Sequence, residues 1–229
     1  MTTQQIGRLS VKQLKLSNMA FKWNINPSGT NIYVDKDGND STGSGTSSNP
    51  YKSIAKATSV GTSGNNIILG NGVWSEQRTL NGKVLNWWGN GMTEINGSSI
   101  AMTFYQCTCN FLTIKSFIGT YAVNIINFSY CSIYDVSIPY AMGSGFSNCI
   151  IVNCNGSSSA GSVFKNPAKN SIFINTTITN LNPTVTNYVK NNIFINSTYG
   201  NINQFTDYNN YTTGTIPTSA NCIALPNLS

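Results

Sequence analysis

Short segments of alternating apolar and polar residues recur along the middle of the chain, and each begins with Cys or Asn. The segments are CNFLTIKS, CSIYDVSI, CIIVNC, NSIFINTT and NNIFINST, which start at Cys109, Cys131, Cys149, Asn170 and Asn191. Aligned on Phe111, Ile133, Ile151, Ile172 and Ile193, they lie 22, 18, 21 and 21 residues apart. The alternation predicts short β-strands, and the spacing indicates a structural repeat of about 20 residues.

A repeat of about 20 residues is too short for a helical hairpin, and it lacks the leucine pattern of a leucine-rich repeat. It fits one coil of a parallel β-helix with two or three short strands. Coils that stack about 4.8 Å apart place equivalent residues above one another. We therefore expect an all-β fold with interior ladders of Ile and hydrogen-bonded ladders of Asn at a turn. Cys131 over Cys149 would be a small interior ladder.

The pattern divides the chain into four segments. They are a basic N-terminal anchor at 1–28, a β-helix opening with a capping helix at 29–62, the parallel coils at 63–205 and a C-terminal tail at 206–229.

The opening segment NIYVDKDGNDSTGSGTSSNPYKSIAKA carries three acids, Asp35, Asp37 and Asp40. They raise the question of a calcium site, but the Gly and Glu positions of an EF-hand loop are not met. An Asx-type turn is the favoured interpretation, and a looser oxygen site for calcium is the alternative.

The end of the same segment predicts a short helix. Asn49 is placed to cap it and Pro50 to occupy its first turn, with Ile54, Ala57 and Val60 near one face. We expect this helix to cover the open apolar end and the unpaired edges of the first coil.

Charge is scarce and unevenly placed. Charged residues make up 9% of the chain and hydrophobic residues 40%. The net charge is +6, and the first 22 residues hold Arg8, Lys12, Lys15 and Lys22 without any acid. No basic stripe interleaved with aromatic residues runs along the body, so we expect no nucleic-acid partner. No apolar run is long enough for a transmembrane helix, so we expect no membrane insertion.

Few residues can carry acid–base or metal chemistry. The chain has no His, and its six Cys form no CxxC pair; buried thiols are the favoured interpretation and no cofactor is expected. Glu76 and Glu94 lie 18 residues apart and are the candidates for a catalytic pair on neighbouring coils; two surface glutamates are the alternative. Three interpretations stay open for the aromatic group of Trp74, Trp87 and Trp88. These residues would form an oligomer interface, pack in the core or bind sugar.

The opening and the coils together resemble the right-handed parallel β-helix proteins of the pectin-lyase-like superfamily. The resemblance rests on Tyr33, Val34, Asp35, Gly38, Asp40, Gly45, Thr46, Asn49, Pro50, Tyr51, Ile54 and Ala57, the strand NIILGNGVWSE and the late DYNNY at Asp207. It implies a single-stranded right-handed β-helix. It does not choose between lyases, hydrolases, adhesins and viral fibres, all of which use this fold.

The N-terminal segment is the most informative about function. It combines its four cations with apolar residues such as Ile6, Leu9, Leu14 and Phe21. We expect it to dock on another protein; a helix folded back on the domain is the alternative.

A docking leader before a β-helix of low charge resembles a bacteriophage virion fibre or spike. This resemblance implies a non-enzymatic structural protein, localised in the virion. Its expected partners are other virion proteins, two further copies in a homotrimer, and a cell-surface glycan in host attachment. The alternatives are a polysaccharide-degrading spike enzyme, either a lyase or a glycoside hydrolase, and a sugar-binding adhesin.

Overall fold

The computed structural model describes residues 27–76, 78–79, 83–89, 93–97, 102–105, 108–115, 123–124, 127–138, 145–156, 168–178, 189–199, 206–207, 210–211 and 223–224. Within them the strands pair in parallel and wind into a β-helix, with one short α-helix. The predicted fold class is confirmed. None of the described helical residues forms a segment of the length and apolarity that crossing a bilayer requires.

Two sheets of nine parallel strands run along the β-helix. In order, the first sheet contains Asn31–Val34, Asn66–Leu69, Asn86–Gly89, Thr108–Asn110, Asn127–Ser129, Gly145–Ser147, Ala168–Lys169, Val189–Lys190 and Thr206–Asp207. The second sheet contains Gly72–Trp74, Thr93–Asn96, Thr113–Lys115, Ser132–Tyr134, Ile150–Val152, Ile172–Ile174, Ile193–Ile195, Asn210–Tyr211 and Ile223–Ala224. From Asn66–Leu69 to Asn210–Tyr211, one strand of each sheet belongs to each coil.

A third strand completes the coils. These strands form a group of three, Arg78–Thr79, Met102–Tyr105 and Val123–Asn124, and a group of four, Ser137–Ile138, Asn155–Gly156, Thr177–Ile178 and Thr198–Tyr199. The last strands of all lie in the segment predicted as a C-terminal tail. Because Asn210 pairs with Ile193 and Ile223 pairs with Asn210, the coils continue past the predicted boundary at residue 205.

Interior ladders hold the coils together. The inward row of the second sheet consists of Trp74, Ile95, Ile114, Ile133, Ile151, Phe173 and Phe194. Toward the C-terminal end of the row, stacked aromatic rings follow the aliphatic side chains. The ring centroids of Phe173 and Phe194 lie 4.8 Å apart. Burial of each such side chain contributes about 2 kcal/mol, so the interior ladders are the main source of stability.

The register corrects part of the sequence alignment. Ile151 pairs with Phe173 and not with Ile172, and Ile133 pairs with Ile114 and not with Phe111. In the later coils, periodicity could not show which residues face inward, because both faces of the strand Ile172–Ile174 are apolar. On the outward face, Ile150, Val152 and Ile174 form a second buried cluster against Tyr134, Ile172 and Ile195.

The predicted lid is a helix of seven residues, Ile54–Val60. Its cap is Ser53, whose hydroxyl accepts the Lys56 N–H at 3.0 Å, so the prediction that Asn49 caps the helix is wrong. Ile54 and Ala57 are fully buried in the interior cluster of the coils. Val60 is 44% exposed and does not belong to the buried face.

The opening loop covers the edge of the first sheet. The Tyr33 N–H donates to the Gly45 carbonyl at 2.8 Å, and the Tyr51 N–H donates to the Tyr33 carbonyl at 3.0 Å. The edge strand Asn31–Val34 therefore has partners on its outer side as well. Protected edges of this kind prevent pairing with a second chain.

Candidate functional site

Two corners of each coil use the left-handed backbone conformation. The first corner, between the first and second sheets, is occupied in successive coils by Phe111, Tyr130, Asn148, Asn170 and Asn191. The second corner, between the second sheet and the third strand, is occupied by Asp135, Asn153, Asn175 and Asn196. Asn and Asp tolerate positive φ better than other residues with side chains.

The corner side chains form ladders on the outside of the β-helix. At the first corner, the Asn170 amide donates to Asn148 Oδ1 at 3.2 Å, and Asn191 donates to Asn170 Oδ1 at 3.2 Å. At the second corner, Asn175 donates to Asn153 and Asn153 donates to Asp135 in the same manner. The predicted Asn ladder at a turn is confirmed, and among the described residues both corners carry one.

Phe111 and Tyr130 break the rule of the first corner. Both have φ of 54°, a conformation that costs roughly 1–2 kcal/mol for a side chain other than Gly, Asn or Asp. The three coils above show that Asn fits this corner and gains ladder hydrogen bonds there. Backbone strain that the fold does not require is an indication of function.

Trp88, Phe111 and Tyr130 form a continuous row that we call the aromatic strip. The rings of Phe111 and Tyr130 are stacked with centroids 4.9 Å apart and planes 7° apart. The Trp88 ring lies 6.4 Å from the Phe111 ring at a tilt of 31°. Parallel rings at 4.9 Å are offset from each other, so part of each face stays open. Tyr130 is 56% exposed and is the open end of the strip.

A row of uncharged polar side chains runs beside the strip on the first sheet. The Trp88 indole N–H donates to Asn66 Oδ1 at 3.3 Å, which fixes the ring. Asn86 also donates to Asn66, and the Thr108 hydroxyl donates to Asn86 Oδ1 at 3.0 Å. The Asn110 amide reaches Thr108 Oγ1 at 3.4 Å. The aromatic rings are therefore bordered by amides and hydroxyls.

The backbones of two coils approach closely beneath the strip. The strand position beneath Phe111 is Gly89, where a Cβ atom would lie 2.1 Å from the Phe111 carbonyl oxygen. Only glycine permits the two backbones to approach so closely. In the same strand, Gly89 directly follows Trp88, whose ring lies on the outer surface.

Trp74 and Trp87 lie in the interior, which removes them from the candidates for an exposed interface or sugar site. Both are fully buried. The Trp74 indole donates to the Gly70 carbonyl at 3.1 Å, and the Lys36 ammonium lies 3.8 Å from the ring centroid. Of the three predicted Trp candidates, Trp88 alone belongs to the outer surface.

Glu76 and Glu94 have separate surroundings. The Glu76 carboxylate accepts the N–H groups of Ile54 and Ala55, both at 3.0 Å, and so caps the lid helix. Glu94 pairs with Val73 on the outward face, where its carboxylate accepts the Asn96 amide at 3.2 Å. The register therefore does not stack the two acids at one position of successive coils.

The acids of the opening loop hold turns. Asp35 Oδ1 accepts the Asp37 N–H at 3.1 Å, which is an Asx turn. Asp40 Oδ1 accepts the N–H groups of Lys52 and Ser53 ahead of the helix. Within the described ranges, no three Asp, Glu, Cys or His side chains group as metal ligands.

The pKa of Asp40 reflects these contacts. Partial desolvation acts to raise it. The hydrogen bonds from the Ser53 side chain and from the Ser53 and Lys52 N–H groups, with the charge of Lys56, outweigh that effect. The pKa of Asp40 therefore lies below its usual value, and the carboxylate form holds the loop to the helix.

Three buried cysteines, Cys131, Cys149 and Cys154, directly follow corner residues. Cys131 lies beneath Cys149, as predicted, and each thiol donates to the carbonyl two residues earlier, at 3.4 and 3.3 Å. In the coils above, the Ser171 and Thr176 hydroxyls make the same type of bond. Burial raises the pKa of Cys131 well above its usual value and that of Cys149 to about 11, which disfavours the reactive thiolate.

The predicted anchoring residues, which are Arg8, Lys12, Lys15, Lys22, Ile6, Leu9, Leu14 and Phe21, lie outside the described residues, as do Cys107 and Cys222.

Comparison with known proteins adds two solved structures. No protein-family model and no curated protein matches the chain. A rhamnogalacturonan lyase matches at 15% identity over 86% of this chain and 66% of the lyase, with a TM-score of 0.29. This chain therefore spans slightly less than two thirds of the lyase. A pectin methylesterase from Aspergillus niger matches at 16% identity over 87% of both chains, with a TM-score of 0.35.

The parallel register of three strands per coil decides the fold. The chain adopts a parallel β-helix. As in other chains with this fold, the class of protein has to be argued from the surface of the β-helix and not from its core.

Sequence reasoning missed Phe111 and Tyr130 as site residues, although the signal was present. The corner residue lies two positions before the start of the second-sheet strand. It reads Asn in SNCII, KNSIF and KNNIF, but Tyr in SYCSI and Phe in NFLTI. An alignment on the corner, rather than on the apolar residues, would have shown two aromatic residues in an Asn position.

Proposed function

We propose that the chain is a structural fibre or spike protein of a bacteriophage virion. In this proposal the N-terminal segment 1–28 anchors it to other virion proteins, and the β-helix projects toward the host. The observation that carries the proposal is a continuous β-helix of low charge with an aromatic strip on its outer surface.

Rigidity supports a projecting role. Nine stacked strands at about 4.8 Å give a rod of about 40 Å. The interior ladders run along the coils, and the Asn ladders at the two corners connect the coils from Asp135 to Asn191. The helix Ile54–Val60 and the opening loop close one end of the rod. A rod of this kind keeps its shape without a dense network of ion pairs.

The charge distribution supports anchoring at the N-terminus. Four cations and no acid lie in the first 22 residues, whereas the rest of the chain is close to neutral. A basic amphipathic segment is suited to an acidic groove on a neighbouring protein. Three copies in a homotrimer are part of the proposal, in line with the class of protein that the sequence resembles.

A structural role fits the positions of the acids better than a catalytic one. Glycoside hydrolysis by paired carboxylates requires two of them across one bond. Glu76 is engaged by two backbone N–H groups of the lid helix, and Glu94 does not occupy its position in the next coil. The attachment role is therefore proposed over the polysaccharide-degrading alternative.

Deletion of residues 1–28 tests the proposal. In a phage that carries the shortened gene, we expect virions that lack the protein, while the purified shortened chain keeps its β-sheet circular dichroism and cooperative unfolding. The absence of the full chain from purified virions, or normal incorporation of the shortened chain, would contradict the anchoring role.

A further inference from the structure

We infer that the aromatic strip is a binding site for an uncharged glycan, with a pyranose ring packed on Tyr130 at the junction between the strip and the Asn ladder. This inference deepens the proposed attachment function and rests on it. It names the ligand class and the residues that would bind it.

The first argument is the geometry of the junction. Tyr130 stacks on Phe111 with one face but is 56% exposed, and Asn148 occupies the same corner in the next coil. Asn148 uses its amide nitrogen on the Ser147 hydroxyl at 3.2 Å and its oxygen on Asn170. A ring that packs on Tyr130 thus meets an aromatic face below and amide and hydroxyl groups beside it.

The second argument is chemical complementarity. A pyranose ring presents C–H groups on its faces and hydroxyls on its rim. The C–H groups suit the negative face of an aromatic ring, and the hydroxyls suit amides and hydroxyls that both donate and accept. The strip, bordered by Asn110, Ser129 and Ser147, supplies both kinds of group. Sites for small molecules commonly combine apolar surface with a few polar groups in this way.

The third argument is charge. Along the outer face of the first sheet, the described side chains from Trp88 to Ser147 are uncharged, and the first charged one is Lys169, beside Ser147 in the next coil. On this face of the first sheet, a charged sugar would meet no charged side chain among the described residues before Lys169. An uncharged glycan fits this surface without leaving an ion unpaired.

The fourth argument is that the fold does not require these aromatic residues. Asn at positions 111 and 130 would extend the ladder of Asn148, Asn170 and Asn191 downward and would adopt the positive φ at a lower cost. The two aromatic side chains therefore disfavour the folded backbone at their own positions. Recognition at the surface accounts for them.

The test uses the full chain and three neutral hexasaccharides, cellohexaose, maltohexaose and the hexamer of N-acetylglucosamine. Polygalacturonate serves as the acidic comparator. Calorimetry gives the affinity, and saturation-transfer NMR identifies sugar protons that touch a ring. We expect at least one neutral probe to bind. Tyr130→Asn should weaken that binding by about tenfold or more while the thermal midpoint stays equal or rises.

Two control variants keep the test specific. Tyr130→Phe retains the ring and should retain most of the binding. Lys169→Ala removes the nearest charge in the row and should leave the binding of neutral probes unchanged. Binding of polygalacturonate alone, lost in Lys169→Ala, would overturn the inference in favour of an acidic ligand.

The inference and the proposed function fail in different ways. If none of the neutral probes binds, or if Tyr130→Asn binds as well as the original chain, the glycan site is wrong. The proposed function still stands in that case if the chain is present in virions. If virions lack the chain, the proposed function fails whichever probe binds.

Discussion

Nine described residues with side chains have positive φ, and six of them are Asn. At four of these corners, Asn does two things at once. It tolerates the left-handed backbone, and at Asn153, Asn170, Asn175 and Asn191 its amide bonds to the coil below. The abundance of Asn in this chain is thus explained in part by corner geometry.

Substitution of Asn170 separates these two contributions. Asn170→Ala loses the hydrogen bonds to Asn148 and Asn191 and forces Ala into positive φ, so we expect a loss of about 1–3 kcal/mol in the free energy of unfolding. Asn170→Gly loses the same bonds without the strain and should be less destabilised. Chemical denaturation measures both, and a larger loss for Gly than for Ala would contradict the role assigned to the backbone.

The residue scale also shows what the sequence could and could not predict. Corner Asn and interior Ile were predictable because their spacing follows the coil. The direction of Trp87 and Trp88 was not, since adjacent aromatic residues fit either face of a strand. Trp87 faces the interior because it pairs with Ile67 and Cys109 in the neighbouring coils. The coils differ in length, so this register could not be read from the sequence.

At the scale of elements, the lid helix depends on contacts from outside itself. It has seven residues and no acid in its first turn, so it is too short to be stable alone. Ser53 caps one N–H, and Glu76 from the next coil accepts two more. Negative charge at this end also suits the helix dipole. The sequence predicted the helix itself, but a cap donated from residue 76 depends on the tertiary structure.

Removal of the Glu76 carboxylate should loosen this lid. Glu76→Ala leaves two N–H groups at the helix start without their acceptor, so we expect a loss of about 1–3 kcal/mol in the free energy of unfolding. The matched control is Glu94→Ala on the outward face, where we expect a change within about 0.5 kcal/mol. Equal losses in the two variants would show that Glu76 has no special role in the lid.

At the scale of the whole molecule, stability and recognition occupy different parts of each coil. The buried ladders, the Asn corners and the lid hold the rod together. The aromatic strip lies on its outer surface, where it adds backbone strain in place of ladder hydrogen bonds. The fold was predictable because the inward apolar positions recur from coil to coil, whereas the site lies where two coils depart from the Asn corner.

The double variant Phe111→Asn with Tyr130→Asn tests this separation most directly, since it converts the lower part of the first corner into an Asn ladder. Thermal unfolding and binding of the neutral hexasaccharides are measured on the same preparation. The account predicts an unfolding midpoint equal to or above that of the original chain, together with loss of glycan binding. A lower midpoint with unchanged binding would show that the strip belongs to the structure of the rod and not to recognition.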